Sequence, residues 1–365
     1  RAYAEIYNEY YRDQNVTEKI DFGKGSETPD MAEIQRLTTI RNRAWEKDYF
    51  TSCLPWSQRG GEAQIPLGNV EPKYKNVSSV IDADDPGLGD SVDLFKSTTD
   101  TLSNQGGDAN YRLENMDTMD VDATTINDLR KANQLQVWLE KSARGGSRYI
   151  EQIKSHFGVR SSDARLQRPE YLGGGRQPVV ISEVLSTFSN DTVPQGDMTG
   201  HGISVGSQNA FNRSFEEHGL VIGIISVLPK SAYQQGLPRL WKKFDKFDYY
   251  WPEFAHLGEQ EVTTSELYQD WSGEQEDALF GYQQRYAEYK FNNSTVHGDF
   301  RTNLQYWHMG RIFANAPVLN SEFIESDPTK RIFNVEDQET DELYIQIYNS
   351  ISAIRPMPYF SIPEL

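Results

Sequence analysis

Residues 219–229, GLVIGIISVLP, form the most apolar run of this 365-residue chain and set the first expectation about its fold. The run is rich in β-branched side chains and Pro229 ends it, which predicts a buried central strand. Residues 177–188, QPVVISEVLSTF, and 343–354, LYIQIYNSISAI, carry the next strongest strand signals. Leu and Ile alternate with Tyr, Gln and Ser in the last segment, which predicts a half-buried strand. A mainly β chain is expected, in which a few core strands support long aromatic loops.

Helices are expected within the connections. Asp30 can cap a helix together with Glu33, three residues later. Residues 1–15 and 126–142 show helical spacing of their apolar side chains, and Gly158 closes a shorter helix. Residues 285–290, RYAEYK, read as a further strand.

The composition excludes several classes of protein. The formal charge of −18 argues against nucleic-acid binding through the overall field of the chain. A single cysteine, Cys53, rules out an intrachain disulfide framework and most zinc sites. No apolar run reaches the roughly 18 residues that a membrane span needs, so no membrane insertion is expected. No histidine precedes His156, which disfavours Cys53 as a nucleophile, and no cofactor is expected.

Two aromatic segments are candidates for contacts. Residues 43–60 read RAWEKDYFTSCLPWSQRG and predict a packing or subunit-contact element. The candidate subunit-contact anchors are Trp45, Tyr49, Phe50, Trp56 and, from the second segment, Trp251.

The second segment, residues 236–254, interleaves basic and aromatic side chains. Such a pattern can stack bases and contact phosphates of a single strand. The candidate contacts with a genome or an internal protein are Arg239, Trp241, Lys242, Lys243 and Lys246. Asp245, Asp248 and Glu253 dilute this signal, so structural packing or subunit contact is the favoured interpretation.

Residues 67–122 differ in character from the rest. They are polar, weakly periodic and typical of a surface insertion. Asp82, Asp84, Gly87, Asp90 and Asp93 stand at calcium-loop offsets. Pro86 occupies the fifth position of that loop, however, and the twelfth is Asp where Glu is expected, so a solvated acidic loop is favoured.

Other polar patterns favour no catalytic or metal site. Gly173 to Gly175 lack the Lys and Ser/Thr of a phosphate loop. The spacing of His297, Asp299, His308 and Glu322 matches no metal motif, and isolated hydrogen bonding is the expected role of these residues.

Five long stretches, in order along the chain, resemble the major capsid protein of microviruses, and most closely that of the gokushoviruses. The stretches are RAYAEIYNEYYRDQN from Arg1, NRAWEKDYFTSCLPWSQRG from Asn42, RYIEQIKSHFGVRSSDARLQRPEYLGGG from Arg148, HGLVIGIISVLP from His218 and WHMGRIFANAP from Trp307.

The resemblance implies a viral eight-stranded antiparallel jelly roll with long helix-containing loops, assembled into a T=1 icosahedral shell of a small tailless bacteriophage. Residues 1–66 and 123–365 would form the shell, and residues 67–122 a surface protrusion used in host attachment. A family chain begins with a further segment that supplies the first strands, so the barrel of these residues alone is expected to be incomplete. The candidate attachment residues are Asp82, Asp84, Asp85, Asn104, Asp108 and Tyr111.

The resemblance also implies partners and a location. The partners are further copies of the chain, a circular single-stranded DNA genome, a small basic DNA-binding protein and a host cell-surface receptor. The location is the virion, after assembly in the host cytoplasm. Enzymatic activity is not expected.

Two alternatives stay open at this stage. A jelly-roll carbohydrate-binding module or glycosidase would also be rich in rings and carboxylates, and a retaining glycosidase needs two carboxylates about 5 Å apart in a Trp-lined cleft. A soluble single-strand DNA-binding protein would show steeply salt-dependent binding.

Overall fold

The fold is taken from a computed structural model of the 365-residue chain. It describes residues 1–61, 63–64, 125–163, 165–181, 201–207, 209–269, 277–333, 335, 339–357, 359–360 and 363, and the backbone of short strands between residues 70 and 121. The helices are α1 (Ala2–Ile6), α2 (Met31–Thr38), α3 (Ile126–Gly145), α4 (Tyr149–Phe157) and α5 (Ser321–Ile324). The strands are β1 (Val70–Tyr74), β2 (Ile81–Asp82), β3 (Leu94–Lys96), β4 (Leu102–Asn104), β5 (Tyr111–Arg112), β6 (Met116–Val121), β7 (Val180–Ile181), β8 (Gly202–Ile203), β9 (Ala232–Tyr233), β10 (Glu259–Thr263), β11 (Leu279–Gln284) and β12 (Ser294–Thr295).

The chain divides into two compact units. The first contains Arg1–Pro55, Ser162–Ala255 and Glu261–Leu365, and the second contains Trp56–Ser161 and His256–Gln260.

The main core of the first unit lies against β10 and β11, which pair with each other. Buried and exposed residues alternate along β10, as the two faces of a strand require. The core side chains are Tyr49, Phe50, Cys53, Tyr233, Val262, Leu267, Phe280, Ala287, Leu319, Phe323 and Ile324. Phe50 packs edge-on against Tyr233, with ring centroids 4.9 Å apart, a favourable geometry for aromatic pairs.

Local signals of the first unit agree with the sequence in part. The carboxylate of Asp30 accepts a 2.6 Å hydrogen bond from the amide of Glu33, which confirms the predicted cap of α2. The helix stops at Thr38, before the apolar Ile40, which is exposed. α1 continues as one π-helical turn, Tyr7–Tyr11, whose Tyr7 is buried.

In the second unit the strands between residues 70 and 121 form nested antiparallel pairs. β1 pairs with β6, β2 with β5, and β3 with β4. Val70 and Val121 are Cα partners at the base, so the chain enters and leaves these nested pairs at neighbouring positions.

The first helix of the second unit begins at the predicted residue, Ile126, but ends at Gly145 rather than at residue 142, and α4 ends before Gly158 as predicted. The hydroxyl of Thr125 caps α3 by accepting from the amide of Asp128. Gly146, at a φ of 102°, ends that helix, and Gly158, at a φ of 70°, ends α4; both conformations favour glycine.

Three strand predictions are wrong. Residues 219–229 form no strand in the structure, and most of them are exposed to solvent. Leu220, for example, is 82% exposed. Residues 343–354 also lack strand pairing and are exposed, with Ile351 at 84%. The physical reason is that neither segment has a neighbouring strand or packed layer among the described residues.

Residues 285–290 form a turn instead of a strand. Tyr286 adopts a left-handed φ of 61° directly after β11 and ends that strand. Of the third strong strand prediction, residues 177–188, the structure describes residues 177–181, and only Val180–Ile181 form a strand, β7, which pairs antiparallel with β8.

The described part of the chain is therefore mostly non-helical, with few and short strands, and no closed barrel is found in it. This is compatible with a capsid fold. None of its helices combines the length and the apolar character needed to cross a bilayer.

Candidate assembly surface

Three of the four basic residues of residues 239–251, here called the aromatic segment, pair with acidic residues of the same chain. Nη1 of Arg239 lies 2.9 Å from Oε1 of Glu266 and also donates to the carbonyl of Glu261. Glu266 is a buried carboxylate whose side chain is 2% exposed. Its second oxygen accepts a 2.8 Å hydrogen bond from the hydroxyl of Tyr49. Arg239 is thus part of a buried three-residue network.

Burial and charge oppose each other in this network. Burial raises the pKa of Glu266 above its ordinary value, although Arg239 and the Tyr49 hydroxyl stabilise its charged form. For Arg239, burial is the largest single influence and favours the neutral form, but the charge of Glu266 together with Tyr49 and Glu288 outweighs it, and the pKa is raised. Burial, followed by the nearby Glu266 charge, raises the pKa of Tyr49 as well. The network therefore holds one cation against one carboxylate inside the chain.

Lys242 and Lys243 make two further internal attachments. Lys242 donates to the hydroxyls of Thr263 and Ser265 and pairs with Asp277. Nζ of Lys243 lies 2.9 Å from Oε1 of Glu288, and both side chains are buried. It also lies 4.1 Å from the centre of the Tyr289 ring, close enough for a cation–π contact.

The fourth basic residue, Lys246, lies over the ring of Phe247 at 4.9 Å. Three of the four predicted genome-contact cations therefore attach the aromatic segment to residues 261–289. The close approach also needs Gly236, where a Cβ atom would overlap the carbonyl of Glu266.

The rings of the aromatic segment turn the other way. Phe244 is 91% exposed and Trp241 is 74% exposed, and the remaining rings are about half exposed. The half-exposed rings are those of Phe247, Tyr249, Tyr250 and Trp251. Three cations of the segment thus pair with residues of the same chain, while its aromatic rings are exposed.

The candidate subunit-contact anchors occupy different environments. Trp45, Tyr49 and Phe50 are buried in the first unit, where they pack on the chain's own side chains. Trp56, in the second unit, is half-buried and has the guanidinium of Arg59 at 4.8 Å from its ring. Trp251 is exposed, and its indole nitrogen donates to the carbonyl of Lys246 at 2.8 Å.

Sequence reasoning missed a second polar centre around Asp48. Its Oδ2 accepts from the hydroxyl of Tyr233 at 2.6 Å and from that of Ser231 at 2.7 Å, and Oδ1 accepts from two backbone amides. Nearby, the guanidinium of Arg311 lies 4.0 Å from the centre of the Phe323 ring. Ser231 and Tyr233 lie more than 180 residues from Asp48 along the chain, so no local spacing reveals these two contacts.

Three of the six candidate attachment residues, Asp82, Asn104 and Tyr111, lie on the described strands of the nested hairpin. Asp82 and Tyr111 are Cα partners in the β2–β5 pair, and Asn104 pairs with Leu94 at the β3–β4 level. Asp84, Asp85 and Asp108 lie outside the described residues, as do most positions of the calcium-like spacing.

His297, His308 and Cys53 make local hydrogen-bonding contacts within the chain. His297 bonds to the hydroxyl of Thr295, and His308 bonds to the carbonyl of Phe300 and accepts from the amide of Gly310. Cys53 is buried and lies within hydrogen-bond distance of the carbonyl of Tyr49. Across the residues whose placement is described, no group of three His, Cys, Asp or Glu side chains could hold a metal ion.

Outward rings on an internally paired scaffold are typical of a structural subunit, because exposed apolar surface of this extent marks sites of association. The chain belongs to the phage capsid protein family known as the F protein, whose family model matches residues 1–365.

Similar proteins agree with this family. The chain is 36% identical over 440 residues to capsid protein VP1 of Chlamydia phage 1, covering 100% of this chain and 74% of that protein. It is 36% identical over 386 residues to capsid protein VP1 of Bdellovibrio phage phiMH2K, with 100% and 72% covered. It is 30% identical over 403 residues to capsid protein VP1 of Spiroplasma virus 4, again with 100% and 72% covered.

These matches confirm the resemblance to capsid proteins of the Microviridae. The relatives are structural proteins rather than enzymes, which removes the glycosidase alternative. A capsid protein associates with further copies of itself and is part of the virion.

Proposed function

We infer that this chain is the major capsid subunit of a small tailless bacteriophage, and that it forms a T=1 icosahedral shell around a circular single-stranded DNA genome. The observation that carries the proposal is the exposure of residues 219–229 and 343–354. Both segments have the composition of core strands, and exposed apolar segments of this kind gain stability by burial against another surface.

The jelly roll is part of the same proposal. Exposed segments with the composition of strands are suited to pairing with partner strands, because strand edges are templates for pairing. In a shell, these segments complete a barrel wall whose remaining strands and loops come from the rest of the subunit and from neighbouring copies. Closed symmetric assemblies supply such contacts identically around each axis.

The insertion at residues 67–122 serves host attachment in this proposal. Its nested strand pairs bring Val70 and Val121 together, so it leaves the chain and returns at one place. An insertion whose chain enters and leaves at one place can project from a shell without interrupting the wall. The receptor that it binds would lie on the host cell surface.

A separate basic protein neutralises the genome in this proposal. The chain carries 54 acidic and 36 basic residues, and three of the basic residues proposed for DNA already face carboxylates. Confined phosphates need positive charge, so a small basic partner is required. Assembly would take place in the host cytoplasm.

The test is the mass and symmetry of purified material by light scattering and sedimentation. The proposal expects one particle species of megadalton mass with about 60 copies, the number that T=1 symmetry requires. A stable monomer, or open filaments of undefined length, would overturn it. Particles of another copy number would retain the capsid role and overturn the T=1 assignment.

A further inference from the structure

The aromatic segment holds its exposed rings in a defined conformation. The carboxylate of Asp248 accepts from the amides of Phe244 and Asp245 at 3.0 and 2.9 Å. The amide of Trp251 donates to the hydroxyl of Tyr286 at 3.2 Å, and its indole nitrogen donates to the carbonyl of Lys246. These bonds fix the turns that carry the rings, so a partner would meet a surface ordered in advance, which lowers the entropy lost on binding.

The charge around these rings does not suit a nucleic acid. The segment has four cations, whereas its own Asp245 and Asp248 together with the partners Glu266, Asp277 and Glu288 supply five carboxylates. A phosphate backbone would therefore find no excess of positive charge there. These nearly balanced charges also produce no strong negative field that would recruit a basic protein. The carboxylates of Asp245 and Asp248 are in addition occupied as acceptors of backbone hydrogen bonds.

The exposed area has the size of a protein interface. A large aromatic side chain buries 150–250 Å² when fully covered. Six rings exposed by about half to nine-tenths therefore offer on the order of 700 Å², close to the roughly 800 Å² per partner of a standard interface. Trp and Tyr are also the residues that dominate binding energy in such interfaces.

We propose that residues 240–251 form a contact between copies of this chain, in which Trp241 and Phe244 insert into a neighbouring subunit. The partner is a second copy because a capsid protein meets identical copies in the particle and because charge disfavours the other virion components. The inference rests on the proposed shell, and its new element is the identity of a surface through which the subunits contact each other. Arg239, Lys242 and Lys243 act as the internal attachments that hold this surface in place.

The first experiment follows the accessibility of Trp241 in the unaltered protein. Hydroxyl-radical footprinting would compare dissociated subunits, DNA-free particles and DNA-filled particles. We expect protection of Trp241 and Phe244 by at least about fivefold in both kinds of particle. Protection that occurs only in DNA-filled particles, or only after a basic protein is added, would overturn the proposal in favour of that partner.

The second experiment uses the double variant Trp241→Ser/Phe244→Ser, with Tyr149→Ser/Phe157→Ser as its matched control. The control removes two exposed rings of α4. We expect the first variant to keep the unfolding temperature of the isolated subunit and to reduce particle yield at least tenfold, while the control assembles as the unaltered chain does. Equal yields would overturn the contact. If the unaltered chain forms no particles, the shell itself is disproved, which separates the two failures.

Discussion

The guanidinium of Arg239 lies 2.9 Å from the carboxylate of Glu266, and the Glu266 side chain is 2% exposed. In the sequence Arg239 belongs to a stretch whose basic and aromatic residues are candidates for a nucleic-acid contact, although structural packing or subunit contact is the favoured interpretation. In the structure it joins the aromatic segment to the body of the chain. This relationship gives Arg239 a buried acidic partner within the chain, and the neighbouring rings are the exposed feature of the segment.

Replacing Arg239 by Met should destabilise the chain strongly, because a buried carboxylate would lose its cation. Breaking a buried pair in this way costs about 3–5 kcal/mol. Denaturant unfolding of the purified chain measures the loss. Lys246→Met is the matched control, since Lys246 lies over the exposed ring of Phe247, and it should change stability by less than about 0.5 kcal/mol. Similar losses in both variants would contradict the structural role of Arg239.

Trp45→Ala and Trp56→Ala should differ in their effect on stability. Trp45 is 6% exposed, so its removal leaves a cavity and costs about 3–5 kcal/mol. Trp56 is only half-buried, and its removal should cost less than half as much. Thermal unfolding of the two variants checks the order. A larger loss for Trp56 would show that its ring is buried more deeply than that of Trp45.

Asp13 should contribute to stability in a pH-dependent way. Burial raises the pKa of this carboxylate, but Lys47 and the amides of Asn15 and Val16 outweigh it, so the pKa in the folded chain lies below its ordinary value of 3.8. A depressed carboxylate pKa adds stability that is present above the unfolded-state value and is lost as pH falls through the folded-state value.

Asp13→Asn should therefore be less stable than the unaltered chain at pH 6 and should lose less stability on acidification below about pH 4. Unfolding free energies measured from about pH 2 to 6 test this. Asp21→Asn, which changes an exposed carboxylate, is the control and should follow the unaltered curve. Parallel curves for Asp13→Asn and the unaltered chain would contradict the assignment.

Removing residues 75–115 should leave particle formation intact and impair attachment to the host. Tyr74 and Met116 are Cα partners, so an Asn-Gly turn can join them and keep the β1–β6 pair. Particle yield and adsorption to host cells are the two readouts. Failure to form particles would show that the insertion is part of the wall, and unchanged adsorption would show that attachment lies elsewhere.

Short-range features of this chain could be predicted from its sequence. The Asp30 cap, the start of α3 at Ile126 and the stop at Gly158 depend on residues a few positions apart, and the structure has them. The pairing of Arg239 with Glu266 spans 27 residues, and nothing in their spacing indicates it.

The prediction of residues 219–229 failed for a different reason. The composition of a segment indicates how strongly it favours burial, but the strands and side chains around it determine whether it is buried. Leu220 is exposed because no described residue covers it. Under the proposed shell, the sequence pattern would describe the assembled state better than the single chain.

Electron cryomicroscopy of the purified particle tests this claim most directly. The account predicts icosahedral particles in whose wall residues 219–229 and 343–354 lie as paired strands, with Leu220 and Ile351 covered by other strands or by neighbouring copies. Monomers, or particles in which both segments face solvent, would contradict it.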